Sequence, residues 1–566
     1  MSKLENWVPG IRAVRTYQRA WAPRDLIAGI VLSALLVPQG MAYAELAGLP
    51  PITGLYTTVI CLLAYAFFGP SPYLVLGPDS SLGPMIAAVV LPMAAGNEGY
   101  AIALAGMLAL LVGLICAGAG AARLGFVSDL LSKPVRVGYL SGLAVTIFVG
   151  QLPKLFGFST DADTFVQEVR TFVSNLDQTN LYALGIGLAS LGIILGLKRW
   201  RPKAPAILIA VVGAIAATVL FDLAGQGVAT VGALPQGFPL PSFPAVPLSD
   251  IVVLAATAVG ISLVAIGDTI SISVGFAARR GEEVKSDQEL IGVGAANLLT
   301  GLFQGFPVST SSSRTAVAEQ SGAKSQLTGV VAALLVLAML LFAPGLLRNL
   351  PQPALAAIVI TAAISLFDLQ TLRRLYGMRK VEFTLAVACG LGVIFVGVLE
   401  GIVLAVLLSI LYLFVRSWRP YSAVLGKPEG VPGYHDVARY PDAVQIPGVL
   451  IIRWDAPLFF ANAGLFRKQV LNLVMSAAPP PEWVIVAAEP VTDVDATAAD
   501  MLVDLDEELN AAGRHLVFAE LKDPVKDQMV RYGLLETIDR RHFYPTIKAA
   551  VKAYTHEEEA GADVEP

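Results

Sequence analysis

Val75-Leu76-Gly77-Pro78-Asp79-Ser80-Ser81-Leu82-Gly83-Pro84 and Gly305-Phe306-Pro307-Val308-Ser309-Thr310-Ser311-Ser312-Ser313-Arg314 are the two stretches on which the fold turns. Each runs from an extended, proline-containing piece into small hydroxyl residues and then into an apolar helix. Proline and the residue before it resist helix, and serine is a preferred N-cap. Both stretches are embedded in apolar sequence, so both predict helices that begin inside a bilayer. Non-helical backbone at that depth is tolerated only where it lines a cavity or is buried in protein. Paired interruptions at matching positions of two halves point to the substrate site of a transporter.

The surroundings supply the bilayer. Of 566 residues, 55% are apolar and only 15% charged, against about a quarter charged in soluble domains. The deficit lies between about Leu26 and Val415, a succession of apolar runs near the roughly 20 residues that a spanning helix needs. Candidate spans are 24–46, 52–68, 78–94, 100–120, 134–152, 180–197, 204–223, 250–277, 289–303, 311–323, 326–344, 352–367, 381–397 and 399–415. The interrupted ones are third and tenth, the separation that two inverted halves of seven produce. Arg12, Arg15, Arg19 and Arg24 precede or open the first span. Lys198, Arg199, Arg201 and Lys203, then Arg279, Arg280 and Lys285, then Arg373, Arg374, Arg379 and Lys380 follow the sixth, eighth and twelfth. Counting crossings puts all four clusters on one side, which the positive-inside bias makes cytoplasmic, with both termini there. The loops 153–179 and 224–249 fall on the other side. Met1 to Ala22 has no apolar core with a small-residue cleavage site, so no cleaved signal peptide is expected.

Two helix N-termini facing each other offer unpaired N–H groups and partial positive charge, and serine hydroxyls add donors. Arg314 adds a full charge with bidentate geometry suited to an oxyanion. The competing reading places Ser311 to Ser313 in an aqueous loop with Arg314 snorkelling to the surface. Asp268, inside Leu263-Val264-Ala265-Ile266-Gly267-Asp268-Thr269-Ile270, and Asp79 are candidate groups for a coupling ion or proton. An anion arriving at Arg314 would share the counter-charge of a nearby carboxylate and raise its affinity for a proton. Asp268 could instead be a structural partner of Arg314, and Asp79 an N-cap. Gln39 and Tyr43 share a helix face at i,i+4 and offer uncharged donors, with plain interhelical hydrogen bonding the alternative. Glu45 and Glu400 read as ordinary boundary residues. Cys61, Cys116 and Cys389 lie in apolar runs without pairing logic, and His435, His515, His542 and His556 all follow the last span. Neither metal nor cofactor is expected, and proton chemistry in the membrane must use carboxylates.

Pro38-Gln39-Gly40-Met41-Ala42-Tyr43-Ala44, with Ala47-Gly48-Leu49-Pro50-Pro51-Ile52-Thr53-Gly54-Leu55-Tyr56-Thr57-Thr58, resembles the signature of the SulP sulfate-permease family. Phe306-Pro307-Val308-Ser309 through Ser313-Arg314-Thr315-Ala316-Val317 resembles that family's tenth-segment motif. The resemblance implies an α-helical polytopic domain of fourteen segments in two inverted repeats of seven, divided into core and gate domains. It also implies homodimers and an elevator-like motion of the core. The positions matching the family's anion site are Gln39, Tyr43, Ser311 and Arg314, with backbone near Ser80 and Ser81. Asp268 matches the acidic position tied to coupling. Asp79 departs from the family, where many relatives carry an apolar residue or threonine.

The tail reads as a cytoplasmic α/β domain. Buried strands are expected at 449–453, 483–487 and 515–519, with helices at 462–476, 496–511 and 522–532. Asp493-Val494-Asp495-Ala496-Thr497-Ala498-Ala499 resembles the strand-to-helix loop of STAS domains, whose antagonist members can be phosphorylated at the Thr497 position. Thr497 could equally be a plain first-turn residue. The expected organisation is a cytoplasmic segment 1–23, a transmembrane anion-transport domain 24–415, a linker with edge structure 416–445, a STAS domain 446–555 and an acidic tail 556–566.

The function expected is secondary transport of a small inorganic oxyanion across a plasma (inner) membrane. Proton-coupled sulfate uptake is favoured, with the proton as co-substrate and a possible cytoplasmic protein partner through the STAS domain. Sodium-coupled bicarbonate uptake, dicarboxylate transport, chloride exchange and a non-transporting receptor are the alternatives. No Walker A motif is present and nothing suggests nucleic acid or an enzyme.

Overall fold

The computed structural model describes residues 8–125, 132–160, 162, 164–201, 204–281 and 283–562, with side chains through 556 apart from Glu536. The first seven and last four residues, in the expected N-terminal segment and acidic tail, and Lys203 of the second basic cluster lie outside them. The chain divides into two compact units, Met1–Ser409 and Ile410–Pro566.

Each expected span of the first unit holds a helix: α1 Ala22–Leu46, α2 Pro51–Phe68, α3 Gly83–Ala94, α4 Glu98–Ala121, α5 Lys133–Phe156, α6 Leu181–Trp200, α7 Ala206–Leu220, α8 Leu248–Ala278, α9 Ser286–Leu302, α10 Ser312–Gln320, α11 Leu327–Phe342, α12 Gln352–Leu366, α13 Lys380–Phe395 and α14 Val398–Trp418. Eight helical stretches of the described residues are long and apolar enough to cross a membrane by themselves. The shortest helices of the set are α3, with 12 residues, and α10, with nine. At 1.5 Å per residue they cover about 18 and 14 Å, roughly half of a 30 Å hydrocarbon layer. Their missing halves are the extended stretches, which pair as strands β1 Leu76–Gly77 and β2 Ser309–Thr310.

The packing repeats with an offset of seven. Helix α1 packs on α11 as α8 packs on α4, α4 on α9 as α11 on α2, and α5 on α13 as α12 on α6. The β1–β2 pair and the α5–α12 pair map onto themselves. One group therefore comprises α1–α4 with α8–α11, and a second is built around α5–α7, α12 and α13. Close approach within each group depends on small residues, which let membrane helices exchange lipid contact for backbone contact. A Cβ on Gly54 would lie 1.9 Å from the Gly40 carbonyl oxygen, and one on Gly138 would lie 2.0 Å from that of Ala386.

In the second unit a six-stranded sheet runs β4-β3-β5-β6-β7-β8, with β3 Ser422–Gly426, β4 His435–Asp436, β5 Val449–Trp454, β6 Trp483–Ala487, β7 His515–Ala519 and β8 Phe543–Tyr544. Strands β5 to β8 are parallel, whereas β3 runs antiparallel to β5 and β4 to β3. The span 416–445, expected as linker and edge structure, thus begins in α14 and contributes two strands. Side-chain alternation sorts the sheet's faces. Leu450, Ile452 and Trp454 pack under α15 Ala463–Ser476, α16 Ala496–Ala511 and α17 Asp523–Arg531. Val449 and Ile451 pack with Ala550, Val551 and Tyr554 of α18 Ile547–Ala562, a helix the sequence reading did not anticipate.

Candidate anion-binding site

The two interrupted segments meet. Leu76 pairs with Thr310 and Gly77 with Ser309, and Ser311 N donates to Val75 O at 3.2 Å. Extended backbone at membrane depth must find partners for every N–H and C=O, and side chains from neighbouring helices supply them. Asn297 of α9 acts as a substitute strand, accepting from Val308 N at 2.9 Å and donating to Val308 O at 3.1 Å. Gln326, just before α11, donates to Ser71 O and Leu74 O at 2.8 and 2.9 Å. Thr315 Oγ1 accepts from Val75 N at 3.1 Å, and Thr57 Oγ1 from Phe306 N at 3.3 Å.

This ladder aims α3 and α10 at one cavity of about 750 Å³. Gln39 and Tyr43 of α1, Asp79, Ser80 and Ser81 before α3, Asp268 of α8, and Ser311 at the start of α10 all line it. Ser311 is the N-cap residue of α10 but makes no side-chain cap bond; its Oγ lies 3.1 Å from Ser313 Oγ. The α10 end therefore keeps its amide-rich opening toward the cavity. At α3 the arrangement differs. Asp79 Oδ1 accepts from Ser81 N at 3.0 Å and Ser81 Oγ at 2.9 Å, a local turn in the segment ahead of the α3 N-cap residue Leu82, which makes no side-chain cap bond.

Arg314 does not line the cavity. It is 1% exposed, and its guanidinium turns back onto the first interrupted segment. Nη1 donates to Pro78 O, and Nη2 donates to Gly77 O at 3.3 Å and pairs with Asp79 Oδ2 at 3.4 Å. The surface-snorkelling alternative is excluded, and so is a direct Arg314–Asp268 pair of the kind weighed from sequence: the carboxylate partner is Asp79. The reason is steric. Gly77 lacks a Cβ, and one placed there would sit 2.9 Å from Arg314 Nη1. The guanidinium fills that space and binds the carbonyls that the interrupted helix leaves free.

Among the described residues, the cations that face the cavity are Arg136 of α5 and Lys198 of α6. Arg136 Nη1 donates to Ser271 Oγ of α8. Neither is a sequence-derived candidate: Lys198 reads only as part of a topology-setting basic cluster, and Arg136, inside the expected span 134–152, is not singled out. Asp268 Oδ2 lies 3.2 Å from Ser81 Oγ. Glu45, read as a boundary residue, pairs with Lys154 at 3.7 Å. Glu289 is a further buried carboxylate that sequence reading missed, accepting from Tyr65 Oη at 2.5 Å and Ser273 Oγ at 2.9 Å. No cluster of metal-binding side chains occurs among the described residues.

In the second unit Thr497 is exposed in the first turn of α16, two residues after the N-cap Asp495, whose Oδ1 accepts from Ala498 N at 2.8 Å. Burial pushes the Asp506 carboxyl of the same helix up to about 6.

A helical membrane domain with two half-length helices opening on one cavity, joined to a domain built on a mixed, mostly parallel sheet, is the architecture of an anion transporter with an appended α/β domain. The chain belongs to the sulfate permease family, whose model matches residues 23–389, and residues 440–550 match the STAS domain. It is 41% identical over 548 residues to a protein of Mycobacterium tuberculosis named "Probable sulfate transporter", covering 97% of this chain and 98% of that one. Identity to the Arabidopsis thaliana protein named "Probable sulfate transporter 4.2" is 32%, over 98% of this chain and 84% of that one. The structure of the murine Solute Carrier 26 family member A9 anion transporter in its inward-facing state superposes with a TM-score of 0.90 at 25% identity, over 98% of this chain and 95% of that one. The membrane domain of the cyanobacterial bicarbonate transporter BicA shares the fold, with a TM-score of 0.61 at 22% identity over 70% of this chain and 98% of that one.

Proposed function

We propose that this chain carries sulfate, together with a proton, into the cell across the inner membrane by an elevator movement of the α1–α4 and α8–α11 group against the α5–α7 and α12–α14 group. The observation that carries the reading is the convergence of α3 and α10 on one cavity through β1–β2 pairing. The first-turn amides and hydroxyls near Ser311 and the backbone near Ser80 and Ser81 would bind the anion, with Gln39 and Tyr43 completing the shell. Arg314 would hold that shell together rather than touch the anion. Both ends of the chain lie in the cytoplasm on this reading, the functional membrane domain covers 24–415 and the STAS domain 446–555. The protein works as a homodimer, and its STAS domain recruits a cytoplasmic protein. A phosphate on Thr497 would sit at a helix N-terminus, where negative charge is favoured.

Hydrogen counting supports the proton. Ser81 Oγ is 2.9 Å from Asp79 Oδ1 and 3.2 Å from Asp268 Oδ2. A serine hydroxyl has one hydrogen and serves one carboxylate. The other contact is a hydrogen bond only when that carboxyl carries a proton. Asp79 already has Arg314 and the Ser81 amide, so Asp268 is the group that takes it.

The test is radiolabelled sulfate uptake into vesicles containing the full chain, with and without an imposed pH or sodium gradient and with a competitor panel. Uptake driven by inward protons, lost in its pH dependence in Asp268→Asn, is the expected result. Sodium dependence with bicarbonate or dicarboxylate competition would replace sulfate and proton as the cargo, and absence of any anion flux would leave a receptor.

A further inference from the structure

We propose that Arg136, on α5, is the cation the arriving anion engages, and that the anion takes it from Asp268. This rests on the transport reading above and adds to it the residue that links the cargo to the proton.

Arg314, the arginine that the sequence makes conspicuous, is committed. Two carbonyls and Asp79 hold its guanidinium, and the Arg314–Asp79 pair is neutral as a unit. Arg136 is not committed in that way. Its described hydrogen bond is to a neutral hydroxyl, Ser271 Oγ, and its side chain is half-buried on the wall shared with Ser80, Ser81 and Ser311. It also borders a small pocket with Asp268 and Tyr139. Tyr139 lies one turn along α5 from Arg136, and its hydroxyl is buried with no partner among the described residues. The polar face of α5 is thus turned toward Asp268, with groups whose bonding is incomplete.

Other charges near Asp268 do not compensate it. Asp79 is negative and held by Arg314. Glu289 of α9 is taken by Tyr65 and Ser273. Helix α4 has no charged side chain after Glu98, and α14 offers Ile402 and Ala405 to the small pocket. Lys198 lines the cavity from α6, and Tyr43 contributes a neutral hydroxyl. Arg136 is the charge positioned to balance an ionised Asp268.

A divalent oxyanion competes for a guanidinium more strongly than one carboxylate, because it offers bidentate oxygens and twice the charge. When sulfate engages Arg136, Asp268 is left as an uncompensated buried carboxylate, and it takes one proton from cavity water. When sulfate leaves, the Arg136 charge is again free to balance the carboxylate across the pocket they share, and the proton departs. The two partners sit on different helix groups, Arg136 on α5 and Asp268 on α8. They border one small pocket without a direct ion pair among the described contacts, so the attraction between the two helix groups acts across that pocket, and cargo plus proton removes it.

The test uses full-length protein in vesicles. Cys61, Cys116 and Cys389 are buried, so Arg136→Cys can be modified selectively by a methanethiosulfonate reagent. Arg136→Cys should raise the sulfate KM at least about tenfold, the loss expected for a charge-assisted hydrogen bond, and flatten the pH dependence. A cationic reagent should recover part of the uptake, a neutral reagent of the same size should not, and sulfate should slow the modification. Wild-type KM and pH dependence in Arg136→Cys, or equal recovery by the neutral reagent, overturns the proposal. If that variant does not purify as folded protein, Arg136→Lys decides: it must retain pH-dependent uptake, and pH-independent uptake overturns the proposal. Absence of sulfate flux in the wild-type vesicles would defeat the transport reading instead.

Discussion

Replacing Arg314 tests whether its charge serves the anion or the scaffold. In Arg314→Gln the carbonyls of Gly77 and Pro78 lose their donors, and Asp79 Oδ2 loses the cation 3.4 Å away. Breaking a buried pair by removing one partner costs about 3–5 kcal/mol. With an unfolding entropy of roughly 2 cal/mol/K per residue, a unit of this size shifts by about 1 °C per kcal/mol, so the midpoint of thermal unfolding should fall by about 3–6 °C. Asp79→Asn in the same chain removes the stranded charge, so Arg314→Gln/Asp79→Asn should recover about 1–3 kcal/mol of that loss. The assay is the fraction of purified protein that stays monodisperse after heating, read beside sulfate uptake for both single variants and the double. Uptake should follow stability, falling in Arg314→Gln and partly returning in the double variant. An Arg314→Gln protein with an unchanged midpoint and no uptake would refute the scaffold role and make Arg314 a direct anion ligand.

Asn297→Ala removes the paired bonds that hold Val308, leaving a buried N–H and C=O unpaired at about 1–3 kcal/mol each. Its sulfate KM should rise and its thermal midpoint fall, and wild-type values for both would show that β2 holds its place without Asn297. In the STAS domain, the carboxyl of Asp506 is displaced upward by burial to about 6, so the folded state binds the extra proton between its ordinary value near 4 and 6. Its contribution to stability is therefore greatest below pH 4, declines as pH rises to 6, and is flat above. Asp506→Asn should slow amide exchange in α16 of the full chain at pH 7 and remove that decline, and an unchanged exchange profile would count against the assignment.

Much of the membrane unit was legible because its determinants act over a few residues. Pro78, Pro307 and the serines after them interrupt helices by local sterics, and the length of apolar runs sets where spans begin and end. Strand alternation at Val449–Trp454 follows from the same short-range rules. The convergence of Gln39, Tyr43, Ser80, Ser81, Ser311 and Asp268 on one cavity also followed, since the halves repeat with a seven-helix offset.

What the tertiary structure decided is who partners whom. Arg314 reaches the carbonyls of Gly77 and Pro78 and the carboxylate of Asp79 because β1 and β2 are adjacent in space, while more than two hundred residues separate them in sequence. Asn297 in α9 and Gln326 just before α11 carry no signal in the sequence, and their role is set only when packing brings them beside backbone that lacks partners. Arg136 reads as one cation near the end of a span, and only the packing of α5 against its neighbours sets it on the cavity wall. Helix ends and burial are written in local sterics and hydrophobic length. A buried hydrogen bond or ion pair is chosen by distance and orientation between segments, and those exist only once the helices have packed.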